Sequence, residues 1–155
     1  TGKTKGGKAM KQCFTFLKSY LDTNRILNIK GPLALFEESE IDINMIDDFP
    51  AIYFFVSRKQ RFILPKGKSP IIYIGKADKL KTRIQQHIRH YHYNDPKSSW
   101  VYSRYNYMKM EGGVDVYYLR IKGKESPKIL ESKVLENFYD KYESLPVGNG
   151  AFSFR

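Results

Sequence analysis

The chain has 155 residues, room for one domain with a core or a small domain plus an extension, and its 41% hydrophobic and 28% charged content is ordinary for a soluble globular protein. No apolar run approaches the roughly 18 residues that span a bilayer, and the lone cysteine, Cys13, excludes an internal disulfide framework and fits a reducing, cytoplasmic compartment. Net charge is +11, unevenly spread: residues 31–57 hold six acids and no Lys or Arg, whereas residues 58–93 hold ten Lys or Arg against Asp78 alone, the footprint expected of a polyphosphate partner.

Residues 1–11 read as a basic arm. Its GKT follows neither a strand nor an earlier glycine, so it carries no phosphate-loop meaning, and the arm lacks the apolar stretch of a secretory signal. Met10, Phe14, Leu17 and Leu21 recur at helical spacing, which predicts an amphipathic helix over residues 8–22. Residues 24–48 are acidic and irregular, with Gly31-Pro32 marking a turn. Residues 1–49 are thus expected to form an N-terminal basic arm, helix and acidic extension ahead of a core domain over residues 50–155.

The core begins with AIYFFVS at residues 51–57, β-branched and aromatic, hence a strand. Residues 58–70 make a long connection containing Pro65, Gly67 and Pro70. Ile71 to Ile74 form a second strand stopped by Gly75, and two strands joined by one loop suggest a hairpin. The next helix, over residues 77–91, carries Leu80, Ile84, Ile88 and Tyr91 as its apolar stripe, with Arg83, His87 and His90 along one edge. Residues 100–110 fit a short helix or an irregular aromatic segment equally well, and Gly112-Gly113 ends them. VDVYYLRI, residues 114–121, is a third strand. Ser126 followed by Pro127 is a cap with proline at the first helical position, and the last helix runs to about residue 143, before Pro146, Gly148 and Gly150.

The residue types narrow the chemistry. His87 and His90 are spaced for a metal, but a single cysteine and no matching His/Asp pair argue against structural zinc. Neither a glycine-flanked serine nor a cysteine with a base in sequence context is present. Phosphodiester cleavage asks for other parts: a group that deprotonates water, a cation for the phosphate, and a carboxylate for a divalent metal. Arginine suits the second role because its planar fork matches phosphate oxygens. Tyrosine serves the first when neighbouring cations or metal-bound water lower its pKa from about 10.

AIY at Ala51–Tyr53, YIG at Tyr73–Gly75, Arg83 on the following helix, His87 one turn further, LESKVL (residues 130–135) and Asn149 together resemble the GIY-YIG nuclease family over residues 50–150. Two departures stand out: Ala51 replaces the first glycine, and Tyr53 and Tyr73 are further apart than the family's spacing. The excess, RKQRFILPKGKSP, is a basic hairpin extension with five Lys or Arg, suited to a nucleic-acid groove through Arg58, Arg61 and Lys66.

The resemblance implies a small α/β (α+β) domain with a three-stranded, mainly antiparallel sheet flanked by helices. It also implies catalytic roles. Tyr53 would activate water, Tyr73 would shape the site and share the proton work, Arg83 would grip the scissile phosphate, and His87 would assist in proton transfer. Glu131 would hold Mg²⁺ or Mn²⁺. Helical geometry places Glu131 inside the apolar arc of Leu130, Val134, Leu135, Phe138 and Tyr142 and leaves the alternative, Glu136, toward solvent. A buried acid needs a partner, and a metal is one. Lys76, Lys79 and Asn149 complete the expected DNA contacts, with Lys76 also placed to lower a tyrosine pKa. In WVYSRYNY, residues 100–107, aromatics alternate with Arg104, a pattern for base stacking or for core packing.

The function expected is metal-dependent endonucleolytic hydrolysis of DNA, double-stranded for preference, with a homodimer as one route to cutting both strands. A restriction or phage/mobile-element role is favoured, since no zinc finger or separate DNA-reading domain is visible. The alternatives are a catalytically silent nucleic-acid-binding module of the same fold, a repair or structure-specific nuclease, and RNA as substrate.

Overall fold

The computed structural model describes residues 12–17, 21, 25–26, 28–34, 46–92 and 99–149, with the backbone alone for 34 and 99–103. After a 3-10 turn at Thr15–Leu17 the elements are β1 (Lys30–Ala34), β2 (Ala51–Ser57), β3 (Phe62–Leu64), β4 (Gly67–Ser69), β5 (Ile71–Ala77), α1 (Leu80–His92), α2 (Ser99–Met108), β6 (Val114–Arg120) and α3 (Pro127–Tyr142). The architecture is α+β: a four-stranded antiparallel sheet in the order β1-β6-β2-β5, flanked by three helices, with β3 and β4 as a separate two-stranded ribbon. Among the described residues no helix is long and apolar enough to cross a membrane.

Every residue of β2 is buried, because both faces of the sheet are covered. Ile52, Phe54 and Val56 face a cluster built with Phe14, Leu17 and the α3 residues Leu130, Val134, Leu135 and Phe138. Ala51, Tyr53 and Phe55 face the other way, toward Leu80 and Ile84 of α1 and Tyr105 and Met108 of α2. A strand buried on both sides reads as a continuous apolar run, which is why AIYFFVS shows no alternation. At α3, the Ser126 side chain accepts from Ile129 N and Pro127 opens the helix, the capping chemistry its sequence announces.

Three expectations need correction. The sheet has four strands, not three. The fourth, β1, falls where residues 24–48 read as irregular: it lies antiparallel to β6, pairing Lys30 with Tyr118, Leu33 with Val116 and Ala34 with Asp115, with a bulge between Lys30 and Leu33. An edge position and a bulge are where a sheet tolerates proline. Gly31 has φ +131°, and a Cβ there would strike the Tyr117 ring and the Val116 carbonyl, so the pair that reads as a turn is a bulged strand pressed onto its neighbour. Second, β5 does not stop at Gly75 but continues to Ala77, pairing Gly75 with Tyr53 and Ala77 with Ala51. Third, the helix expected over residues 8–22 is interrupted in its described part: residues 12–13 are α-helical and Thr15–Leu17 form the 3-10 turn. Phe14, Leu17 and Leu21 are buried as their spacing implies; Met10 lies outside the described residues.

The outer edge of β5 is covered. Gly148 N donates to Ile72 O at 2.7 Å, while the Asn149 side chain accepts from Ile74 N and donates to Ile74 O, both at 3.0 Å. An edge capped by chain is closed to further strand pairing.

Candidate active site

Four of the sequence-selected residues meet on the sheet face covered by α1 and α2. Tyr53 comes from β2, Tyr73 from β5, and Arg83 and His87 from α1. The rings of Tyr53 and Tyr73 lie 5.9 Å apart, and each is 5.5 Å from the imidazole of His87. Phe55 closes the cluster at 4.9 Å from His87.

Gly75 makes this packing possible. It sits opposite Tyr53 in the β2–β5 register, and a Cβ there would land on Tyr53 Cζ and the hydroxyl. The missing side chain lets the phenol ring lie across β5 toward α1. The glycine of YIG is thus the seat of the tyrosine of AIY.

His87 bridges two phenols. Its Nε2 is 2.6 Å from the Tyr53 hydroxyl and its Nδ1 is 2.9 Å from the Tyr105 hydroxyl. Burial, then the charges of Arg104, Arg83 and His90, hold its pKa well below the ordinary value. The ring is therefore neutral, with one nitrogen accepting and the other donating. Burial, then Tyr73, pushes the Tyr53 phenol well above its usual range, with Arg83 opposing. Tyr53 is accordingly a neutral hydroxyl, fully enclosed at 0% exposure. Tyr73 reaches 8% exposure at the rim of the cluster.

Arg83 lies on the exposed side of α1, bonded to Gln86 Oε1 at 3.2 Å and within side-chain reach of the Tyr53 hydroxyl. One end of this guanidinium meets solvent and the other the buried phenol. α1 is held in register by Asp48, whose carboxylate accepts from Thr82 N at 2.9 Å and Thr82 Oγ1 at 2.8 Å.

Two participants escaped the reading of the sequence. Arg104 stacks over the Tyr73 ring at 3.8 Å and donates to Gly148 O at 2.9 Å. Tyr105, 1% exposed, holds the second nitrogen of His87. Both come from α2, where the aromatic stretch gave no periodicity to separate inward from outward residues. The cation embedded in that stretch was the available signal.

The remaining candidates lie elsewhere. Glu131 is buried on α3, 5% exposed, and Glu136 is exposed on the same helix. The apolar side chains of α3 pack on the sheet face opposite Tyr53 and Phe55, so Glu131 belongs to a different layer from Arg83 and His87. The principal charges acting on Tyr53, Arg83 and His87 come from one another and from Tyr73, Tyr105, Arg104 and His90. Lys76 and Lys79 are exposed on β5 and just before α1. Arg58 is tied to Asp115 at 2.8 Å, while Arg61 and Lys66 are exposed on the β3–β4 ribbon beside Ile63, which is 80% exposed. Asn149 spends its amide on the Ile74 backbone.

Among the described residues no three His, Cys, Asp or Glu side chains converge. A hydrated Mg²⁺ asks for less, one or two carboxylates with waters and substrate phosphates completing its shell. Glu131, the one buried acid among the described residues, is a donor of that type. Comparison with protein-family models, with curated proteins and with solved structures yields no match.

Proposed function

We propose that this chain is a divalent-metal-dependent endonuclease acting on DNA, with a GIY-YIG-like site. The observation that carries the reading is the convergence of Tyr53, Tyr73, Arg83 and His87, which three separate elements bring into one contact set. Twelve tyrosines in the chain make one such placement unremarkable; the arginine and histidine at the same point are what packing alone does not call for.

The roles follow from access and charge. Arg83 offers solvent a permanent cation backed by a phenol, a grip for a phosphate and for the charge that grows on it. Tyr73, at the rim, orients the incoming water. Tyr53, itself enclosed, receives that water's proton through Tyr73 as its own proton passes to His87 Nε2, and His87, with its low pKa, gives the proton back readily. Tyr105 and Arg104 hold the imidazole and the Tyr73 ring in place. Glu131 is the proposed holder of Mg²⁺ or Mn²⁺, which when bound would supply Lewis-acid character; it lies in the layer across the sheet from Arg83 and His87, so no step at the gripped phosphate is assigned to it. Lys76, Lys79, Arg61 and Lys66 are proposed contacts for the DNA backbone, and a homodimer is one way to cut both strands.

A second reading has its own observation. Tyr53 is fully enclosed and its phenol is held neutral, which suits a module that keeps the fold and binds without cutting. Incubation with supercoiled plasmid separates the two. Nicked or linear product with Mg²⁺ and none with EDTA supports the nuclease; salt-sensitive binding without product under either condition supports the silent module.

A further inference from the structure

A cleft of about 580 Å³ opens beside the site, lined chiefly by the end of β6 and by residues at or just before the starts of β1, β2 and α3. Its cations are Arg25, Lys30, Arg120 and Lys122, all exposed but the half-buried Arg25. The acid on its wall, Glu125, is held by Arg25 at 2.9 Å. Lys30 and Lys122 form no ion pair among the described residues. The floor is aromatic. Phe49 and Tyr118 lie 5.6 Å apart, and the Arg120 guanidinium sits 4.6 Å over the Phe49 ring.

The cleft faces the same way as the candidate active site. Tyr118 is the β6 register partner of Tyr53 and Lys30 is the β1 partner of Tyr118. Residues 118, 120 and 122 alternate onto that same face, while Tyr117, Leu119 and Ile121 fill the opposite core. The Phe49 carbonyl accepts from Leu80 N at 3.0 Å, so the start of α1 adjoins the cleft and leads from it toward Arg83.

A volume of this size suits one planar ring with its sugar and phosphate. Cations that form no ion pair among the described residues, set around an aromatic floor topped by a guanidinium plane, are the parts with which proteins hold unpaired bases. The geometry points to a subsite for one unpaired nucleotide of a nucleic-acid strand, its base stacked on Tyr118 and the Arg120–Phe49 pair and its phosphates between Lys30 and Lys122. The subsite rests on the nucleic-acid part of the function proposed above and not on its chemistry. It also accounts for β1, because the N-terminal segment supplies Lys30 and so completes the cleft.

The test is fluorescence anisotropy with a labelled oligo-dT and with a labelled blunt duplex of equal length, in EDTA, so that cutting plays no part. Tyr118→Leu is expected to weaken oligo-dT binding about tenfold and to leave the duplex within twofold. Lys122→Ala, a change at an exposed position, is expected to lower the salt dependence of oligo-dT binding. Lys128→Ala on α3 serves as the control and is expected to change neither. Unchanged oligo-dT affinity in both cleft variants would overturn the subsite, as would equal losses for single strand and duplex, which would mark a plain phosphate patch. Thymidine monophosphate competing as strongly as the oligonucleotide would overturn the strand in favour of a free nucleotide. A plasmid assay without product leaves each of these outcomes readable, so failure of the nuclease and failure of the subsite are distinct.

Discussion

The Tyr53 hydroxyl and His87 Nε2 lie 2.6 Å apart in a site closed to solvent. Each is the other's partner, and each is held neutral by burial first of all. Tyr53→Phe keeps the ring and removes the hydroxyl, leaving a buried imidazole nitrogen unsatisfied. The expected cost is about 1–3 kcal/mol in urea denaturation. DNA cleavage should fall by about 100-fold or more if Tyr53 passes the proton. A stability loss with full activity would make Tyr53 a structural residue.

His87 also gives the fold a pH dependence. Its folded pKa is depressed, so as pH falls below about 6.5 the unfolded chain takes up a proton that the folded chain refuses. Stability from this group is complete above that pH and declines below it, toward the folded pKa, by up to about 1.4 kcal/mol per pH unit. Urea midpoints measured from pH 7.5 to 5 should fall accordingly. A His87→Gln variant should show a flatter profile over the same range.

Gly75→Ala asks whether the close approach of Tyr53 is necessary. The added methyl would overlap the phenol. Overpacking of this kind costs about 1–3 kcal/mol, and the ring must leave its place beside His87. A lowered melting temperature with loss of cleavage is expected. Near-normal stability and activity would mean that the ring adapts without consequence.

Asn149 separates a structural clamp from a DNA contact. Both ends of its amide engage Ile74 on the outer edge of β5. Asn149→Ala should lower stability by about 1–2 kcal/mol while leaving the salt dependence of DNA binding unchanged. A reduced salt slope without loss of stability would restore it to the DNA-contacting set.

The sequence made the core strands and the last helix legible because the local signals agreed there. Ser126 and Pro127 mark the start of α3, and the apolar arc that placed Glu131 inward and Glu136 outward matches their exposure. β1 was not legible because Gly31-Pro32 is a turn signature, and only the approach of Tyr117 explains a glycine at that point. The extent of β5 was hidden by Gly75, a strand-breaking residue whose purpose is a ring from the neighbouring strand. Tyr105 and Arg104 were missed because the aromatics of α2 carry no helical period, so which ring meets His87 is decided by tertiary packing. Tyr53, Tyr73, Arg83 and His87 were selected by motif spacing, and they meet. Glu131 is preferred over Glu136 on helix geometry, which gives its burial but not its layer.

The most direct measurement compares plasmid nicking by the wild type and by Arg83→Ala in Mg²⁺. Arg83 is exposed at the mouth of the cluster, so its loss should leave the fold intact. Metal-dependent nicking by the wild type is expected, with a rate lower by about 100-fold or more in the variant and DNA binding retained. Equal nicking by both proteins, or none by the wild type with Mg²⁺ or Mn²⁺, would contradict the proposed function.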